Sequence, residues 1–527
     1  MNTPSRKSRG LDDRWLFPLV LTFAAVLRLF ELGKRSLWTD EGSTWTAASL
    51  PLAQMLERCI TRDASPPLYY LVTSLFLRIG GGTEAALRFS SVLASLALVW
   101  LTYRLARLVM ARTGASLAAL FCALAPFQVM FAQEARTYTM VAALSVWSTY
   151  LFARGMLETN HRVWRSYSGV LALGLWTQTI ALLALPAQGI VAVVTRAGRR
   201  QFGRWVLALL VAAAIYAPWA YLSREMADHL AHSHWYIEEP TLIGLVKVLR
   251  GLLLSPMPIV TAPKGSVMAG LDLLLPRVAA WGVLLLPPFA LLIATLRDGL
   301  RQDKLGGLTR ILWLGWIAPL VVVFSVSLLG RPLFLPRYFV FATPYIAVLF
   351  ALGSYSLPTV ARALSVGVLV FVQLLGLVRY HHDATKEPWR EITAHMRAVS
   401  PSDHTAALVL FDADPLRFYE RAHAPGVRSF EVSHPAQPFA AEFSELELAY
   451  VDSAAHANAS GYDNVWVFVR SPKSPIRHRV VDIARAAAGQ GRALTEERTW
   501  DSFGGPIMSW RYTKSAVPAL ADSAPVR

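Results

Sequence analysis

The residues able to do chemistry gather in polar stretches between long apolar runs. The stretch GRPLFLPRYFVFATP carries Arg331 and Arg337, with Tyr338 beside the second. A guanidinium at a membrane edge suits the phosphate of an anionic lipid head group, which it can grip through paired hydrogen bonds. Arg88, Arg224, Lys247 and Arg250 are weaker candidates for the same task. The stretch AQEARTYTM sets Glu134, Arg136 and Tyr138 in a turn of few residues. Ionisable groups this close to a bilayer usually face a cavity or a partner, although a local ion pair would also account for them. The stretch RSLWTDEGSTW holds the adjacent acids Asp40 and Glu41 between Trp38 and Trp45. Asp40 reads equally as a helix N-cap, because acids suit the positive end of a helix. Ser65, Pro66, Pro67, Leu68, Tyr69 and Tyr70 follow in the same loop. His232, His234, Trp235 and Tyr236, with Glu238 and Glu239, form a polar-aromatic patch that could bind a metal or be a plain loop. No HExxH or CxxC motif accompanies it.

The elements that must position these residues are membrane spans. The chain has 527 residues, of which 54% are hydrophobic and only 16% charged, with a mean hydropathy of +0.40. Soluble domains usually carry about 25% charged residues. The net charge of +16 does not point to nucleic acid, because Arg and Lys cluster in short loops as the positive-inside rule expects. Apolar runs near 15–32, 87–108, 115–132, 138–154, 167–181, 183–196, 205–222, 272–296, 310–329, 338–357 and 360–379 predict about eleven spans. The segment 66–80 begins with two prolines and carries Arg78. Reading it as an interfacial helix leaves residues 1–14 as a cytoplasmic tail and the first span uncleaved. The clusters Arg104/Arg107/Arg112, Arg154/Arg162/Arg165, Arg196/Arg199/Arg200/Arg204 and Arg297/Arg301/Lys304/Arg310 then all fall inside.

The outer side is expected to hold loop 33–86, turn 133–137, loop 223–271 with an interfacial helix near 241–255, and turn 330–337. The membrane domain is then 15–379, followed by an extracytoplasmic α/β domain, 380–515. There AALVLFDAD and NVWVFVR read as strands, and PLRFYERA and VVDIARAAAG as helices. Residues 516–527, rich in Ala, Pro and Ser, are expected to be disordered. Two cysteines, Cys59 and Cys122, with the second inside an apolar run, argue against a disulfide framework. There are no evident repeats and no Gly-rich nucleotide loop.

Taken in order, LFELGKRSLWTDEGSTW, DASPPLYYLV, EAALRFSSVLASLALVWLTYRLARLV, LAPFQVMFAQEARTYTMVAAL, RPLFLPRYFVFATPYIAVLFALG and KEPWREITAHM resemble the GT-C glycosyltransferases. The resemblance spans 15–400 and is to family 39 and its bacterial relatives, among them protein O-mannosyltransferases and the aminoarabinose transferase of lipid A. It implies an enzyme of the plasma (inner) membrane that takes a sugar from a polyprenyl-phosphate carrier. The acceptor would be a glycan, lipid or protein at the outer face. By position, Asp40 matches the family's general base, Glu41 its neighbour, and Glu134 lies near a second-loop acidic position. Arg136 and Tyr138 match an Arg-x-Tyr stretch, and Arg337 and Tyr338 a late Arg-Tyr pair, with Arg331 upstream. These would bind the donor phosphate, and Ser65, Pro66, Tyr69 and Tyr70 would form the first-loop substrate region. Two departures stand out. Ser65 replaces a His common before the Pro-Pro, and Trp176-Thr177-Gln178 replaces a Tyr-Thr-His.

These residue types suit such a transfer. Phosphate is already a workable leaving group, so its growing charge needs arginines more than an acid. The acceptor hydroxyl needs a base, and one carboxylate within about 3 Å would serve. A single displacement with one base inverts the anomeric centre, unlike the two-carboxylate route of retaining glycosidases. No cofactor is required on this reading; a divalent ion held by Asp40 and Glu134 remains an option. A transporter or flippase would share the spans and edge charges, but would bring repeats and midplane charges. An inactive scaffold of the same fold is a further alternative.

Overall fold

The structure, a computed structural model, describes residues 13–63, 65–158, 160–232, 239–255, 286–296, 306–330, 332–383, 386–400, 404–410, 413–423, 428–432, 445–470, 475–501 and 506–514. Residues 1–12 of the expected N-terminal tail, most of span 272–296, Arg297, Arg301, Lys304 and residues 516–527 therefore lie outside the described residues.

Among the described residues the chain divides into two compact units. One contains 13–33, 47–228 and 239–383; the other contains 34–46, 229–232 and the tail from 386. The sequence reading leaves the whole loop 33–86 with the membrane domain. Its acidic stretch, 34–46, instead groups with the tail.

In the first unit, apolar runs become helices because a backbone in lipid must satisfy its hydrogen bonds within its own segment. Among the described residues, six helices are long and apolar enough to cross a membrane: Glu84–Ala106, Tyr138–Leu157, Arg196–Leu222, Gly307–Leu329, Pro336–Tyr355 and Thr359–His382. A seventh candidate is the pair Arg112–Leu124 and Pro126–Ala132, bent by 60°. The chain is thus a multi-pass membrane protein. The other expected spans are shorter. Asp13–Leu29 and His161–Thr177 have 17 residues each, and a helix of that length rises about 26 Å against a hydrocarbon core of roughly 30 Å. Run 183–196 becomes the 3-10 turn Thr179–Ala184 and the helix Leu185–Val194, with a proline in its first turn. Of 272–296 only the helix Leu286–Leu296 is described.

Segment 66–80 forms the helix Leu68–Gly80, too short at 13 residues to span unaided. The helix Leu242–Leu253 leaves Leu242, Ile243 and Val246 exposed and buries Val248, Leu252 and Leu253, the two-faced pattern of an interfacial helix.

The 60° bend has a local cause. Pro126 lacks an N–H, and the residue before a proline leaves the helical region; Ala125 sits at φ −56°, ψ 115°. Carbonyls around the break find side-chain donors instead. Arg28, fully buried, donates from Nη1 to the carbonyl of Ala123 at 3.1 Å and from Nε to Ser95 Oγ at 2.8 Å. Gln373 Nε2 reaches the carbonyl of Phe121 at 3.2 Å. Cys59 and Cys122 are buried free thiols.

The second unit contains a five-stranded sheet in the order β2-β1-β3-β5-β4. The strands are β1 Thr405–Leu410, β2 Arg428–Val432, β3 Asn464–Arg470, β4 Ala493–Trp500 and β5 Ile507–Thr513. β1 pairs in parallel with β2 and β3, whereas β5 is antiparallel to β3 and β4. Alternation sends Val465, Val467 and Val469 toward the helices Glu445–Ala459 and Pro475–Gly489. Trp466 and Phe468 face the other way, where Trp389 meets Phe468 and Ser400 Oγ accepts from Trp466 Nε1 at 3.0 Å.

One carboxyl in this unit ties stability to pH. Glu420 is buried, and one of its oxygens accepts from Ser429 Oγ at 2.8 Å. Burial pushes its carboxyl up to about 7, against the opposing pull of Ser429 and Arg417. Between its ordinary value of 4.5 and about 7, the folded chain therefore keeps a proton that the unfolded chain releases. Stability falls as pH rises through that window, by roughly 3 kcal/mol in full. Glu420→Gln is expected to gain thermal stability over the parent between pH 5 and pH 8 in detergent. A gap that stays constant across that range would rule this out.

Candidate active site

Turn 133–137, which follows the bent helix pair, presents the first arginine. Hydrogen bonds hold it in place. Gln133 Nε2 donates to the carbonyls of Arg28 at 3.2 Å and Phe30 at 2.7 Å. The N–H of Arg136 donates to the carbonyl of Glu134 at 2.8 Å. Ser91 Oγ donates to the carbonyl of Arg136 at 3.2 Å, and Thr137 Oγ1 to Gln178 Oε1 at 2.6 Å. Glu134 and Arg136 are half-buried and Tyr138 is buried. The guanidinium carbon of Arg136 lies 5.8 Å from the centroid of the Tyr138 ring. That of Arg337, from the 3-10 turn Pro336–Ala342, lies 5.9 Å from the same ring. Tyr338, next along, is half-buried against the helical core. Two positive groups gathered on one ring repel each other. The ring face offsets part of that, at about 0.5–2 kcal/mol per cation, and a bound anion would offset more. Each guanidinium carries a fork of N–H donors of the kind that suits a phosphate. Arg331 lies outside the described residues.

The segment expected to form the first-loop substrate region supports this turn. Pro66, Tyr69 and Tyr70 are buried and Ser65 is half-buried. Tyr69 and Tyr70 pack with Met55, Cys59 and Trp219. The hydroxyl of Tyr69 lies 2.8 Å from Ser91 Oγ, so it braces the serine that donates to Arg136. The departure at 176–178 also has a place: Gln178 receives Thr137, and Trp176 packs at 5.8 Å from Trp219.

Asp40 and Glu41 lie in the other unit, in the first turn of the helix Thr39–Ser49. Their environments differ. Glu41 has no exposed surface, and its Oε2 sits 2.9 Å from Lys386 Nζ. Asp40 is half-buried. The helix start is capped from the tail: the N–H and Oγ1 of Thr39 both donate to Glu387 Oε2, at 3.0 and 2.9 Å. Trp389 Nε1 donates to the same oxygen at 2.8 Å. Further contacts dock the stretch. The N–H of Leu37 donates to the Tyr419 hydroxyl at 2.7 Å, Arg390 Nη1 to the carbonyl of Lys34 at 2.7 Å, and Trp45 meets Phe418 edge to face at 5.4 Å.

The structure thus brings Arg136, Tyr138 and Arg337 together in one unit, with Glu134 in the same turn as Arg136. It holds Asp40 and Glu41 in the other. Sequence reasoning assigned no role to Lys386, Glu387, Gln133 or Gln178. The signal for the first two was the charged run KEPWRE, which was legible as a junction but not as a clamp. Among the described residues no three His, Cys, Asp or Glu side chains gather where they could hold a metal. Of the His232 patch, the side chains from His232 to Glu238 lie outside the described residues.

With the geometry in hand, comparison gives the class of protein. The chain has the fold of the GT-C membrane glycosyltransferases. It superposes on ArnT from Cupriavidus metallidurans, a structure bound to undecaprenyl phosphate, with a TM-score of 0.61 at 14% identity, covering 95% of this chain and 98% of that one. The apo oligosaccharyltransferase from Archaeoglobus fulgidus aligns with a TM-score of 0.54 at 13% identity over 96% of this chain and 75% of that one. More particularly, residues 64–222 match the family described as dolichyl-phosphate-mannose-protein mannosyltransferase. No curated protein matches the sequence.

The docking of 34–46 yields a stability test. A Cβ on Gly42 would lie 2.6 Å from the nitrogen of Pro415 and 2.7 Å from its Cδ, so backbone must shift to admit it. Gly42→Ala is expected to cost about 1–3 kcal/mol, read as a lowered thermal midpoint in detergent. Gly169→Ala, with nothing within 4 Å of its added carbon, serves as the neutral control. Equal midpoints for the two variants would show that residues 34–46 are not held against Pro415.

Proposed function

We propose that the protein is an inverting glycosyltransferase acting at the outer face of the plasma membrane. It moves a sugar from a polyprenyl-phosphate-linked donor to an acceptor hydroxyl on a glycan, lipid or protein. The observation that carries this reading is the near-complete superposition on a structure holding undecaprenyl phosphate. The pair of guanidiniums at Tyr138 gives the same reading a chemical basis in this chain.

In this mechanism Arg136 and Arg337 hold the donor phosphate. Asp40 takes the proton of the acceptor hydroxyl as that oxygen bonds to the anomeric carbon. The carbon–oxygen bond to phosphate breaks, and its electron pair leaves with the polyprenyl phosphate, whose charge the arginines neutralise. A single displacement inverts the anomeric centre. Glu134, beside Arg136, is the second acid of the site. Tyr138 orients the two arginines, and Tyr338 and Arg331 complete the phosphate surroundings. Since the arginines meet the leaving charge, the reaction as written needs no metal ion.

Two outcomes test this. Asp40→Asn should lower kcat about 10²–10⁴-fold, measured as release of radiolabelled sugar from undecaprenyl-phosphate-linked hexoses and pentoses in detergent, where transport is impossible. Near-parental turnover by the folded variant would refute the base assignment. Arg337→Lys, which keeps charge but loses the guanidinium fork, should weaken binding of undecaprenyl phosphate about tenfold or more, read by titration in nanodiscs. Unchanged affinity would remove Arg337 from the phosphate site.

A further inference from the structure

We propose that Lys386 and Glu387 are positioning residues for sugar transfer, clamping the first turn of the helix Thr39–Ser49 and so fixing the direction of the Asp40 carboxylate. The inference rests on the reading of Asp40 as the base, and extends it to a part of the chain with no catalytic motif of its own.

The clamp holds the two neighbours of Asp40. On one side, Thr39 is held at both its N–H and its hydroxyl by a single oxygen of Glu387. On the other, Glu41 is held by Lys386 at 2.9 Å. Successive helical residues point about 100° apart. Fixing residues 39 and 41 therefore fixes the rotation of the turn and leaves the side chain between them directed elsewhere. The difference in exposure agrees: Glu41 is fully buried and Asp40 is half-buried.

The chemistry of the clamp suits a permanent hold. Glu387 is 2% exposed, and its acceptor oxygen also receives Trp389 Nε1, so its own rotamer is set. A carboxylate at a helix N-terminus meets N–H groups without intrahelical partners and the positive end of the helix dipole. The ammonium of Lys386 neutralises Glu41, which could not stay ionised at that depth alone. The consecutive residues 386 and 387 thus carry opposite charges to opposite partners, and exchanging them would break both contacts. Close packing of Gly42 on Pro415 holds the next residue along. A base must lie within hydrogen-bond reach of the proton it takes, and a displacement near 1 Å can cost a hundredfold in rate. A helix start held this firmly meets that demand.

The test uses the full-length protein in detergent, with undecaprenyl-phosphate-linked radiolabelled hexose or pentose as donor and amide hydrogen exchange over residues 38–44 as a second readout. Lys386→Met and Glu387→Ala are expected to lower kcat about 10- to 100-fold with donor KM within about twofold, and to speed exchange over 38–44. Lys386→Arg and Glu387→Gln, which keep a donor and an acceptor, should recover most of the turnover. A fall in kcat without faster exchange, or faster exchange at parental kcat, overturns the positioning role, and so does a loss confined to KM. If Asp40→Asn is inert while Lys386→Met and Glu387→Ala turn over at the parental rate, only the clamp fails. If Asp40→Asn is as active as the parent, the base assignment fails instead.

Discussion

A carboxylate with no exposed surface sets the terms for the second unit. Removing Glu41 from water costs several kcal/mol unless an opposite charge meets it with good geometry. Lys386 does so at 2.9 Å, from 345 positions further along the chain. The pair joins a fully buried carboxylate to a largely covered ammonium. The acidic stretch and the start of the tail therefore fold as one object. That is why 34–46 groups with the tail and not with the helices on either side of it in sequence.

The helical unit obeys a related constraint with neutral groups. Proline and short 3-10 turns interrupt several of its apolar runs, and each interruption frees carbonyls where water is scarce. Buried side chains lie against these places: Gln128 Nε2 donates to the carbonyl of Val340 at 2.6 Å, Arg28 Nη1 to that of Ala123, and Gln373 Nε2 joins the N–H of Ala125 on that of Phe121. The bend at Pro126 is thus a supported feature. It also has a consequence for the site, since the turn carrying Arg136 begins one residue after the second half of the bent pair. Gln133 ties that turn back to the end of the first helix. Arg28 meets both features: its guanidinium reaches the carbonyl of Ala123 at the break, and its own carbonyl receives Gln133 from the turn.

Hydropathy made the helical fold legible, because a span is a local property of about 20 residues. The strand Asn464–Arg470 was legible to the residue, since its side chains are buried on both faces and its run is continuous. β4 was not. It is an edge strand carrying Glu496, Glu497 and Arg498, mostly exposed and broken by a register shift at Leu494/Glu496, so its pattern is that of a loop. Charged edges of this kind discourage pairing with other chains. In the site, the residue types at 40, 136 and 337 were readable from their places between apolar runs. The convergence of two of them on Tyr138 was not, because it joins positions some two hundred residues apart. The clamp was hidden for the same reason: nothing near Glu41 in sequence indicates which cation meets it.

The adjacent acids show what the fold adds to a motif. As a sequence, Asp-Glu offers two carboxylates of equal standing. A general base must change charge during each turnover, taking a proton and returning it to water. Glu41 has no exposed surface and is tied to the ammonium of Lys386, so the same ion pair that secures the helix opposes that cycle. Asp40 keeps partial contact with solvent, and the residues on either side of it bear the structural duty. Burial and pairing have made one member of the dipeptide an anchor, which is why the proposed reactive role falls to the less buried Asp40.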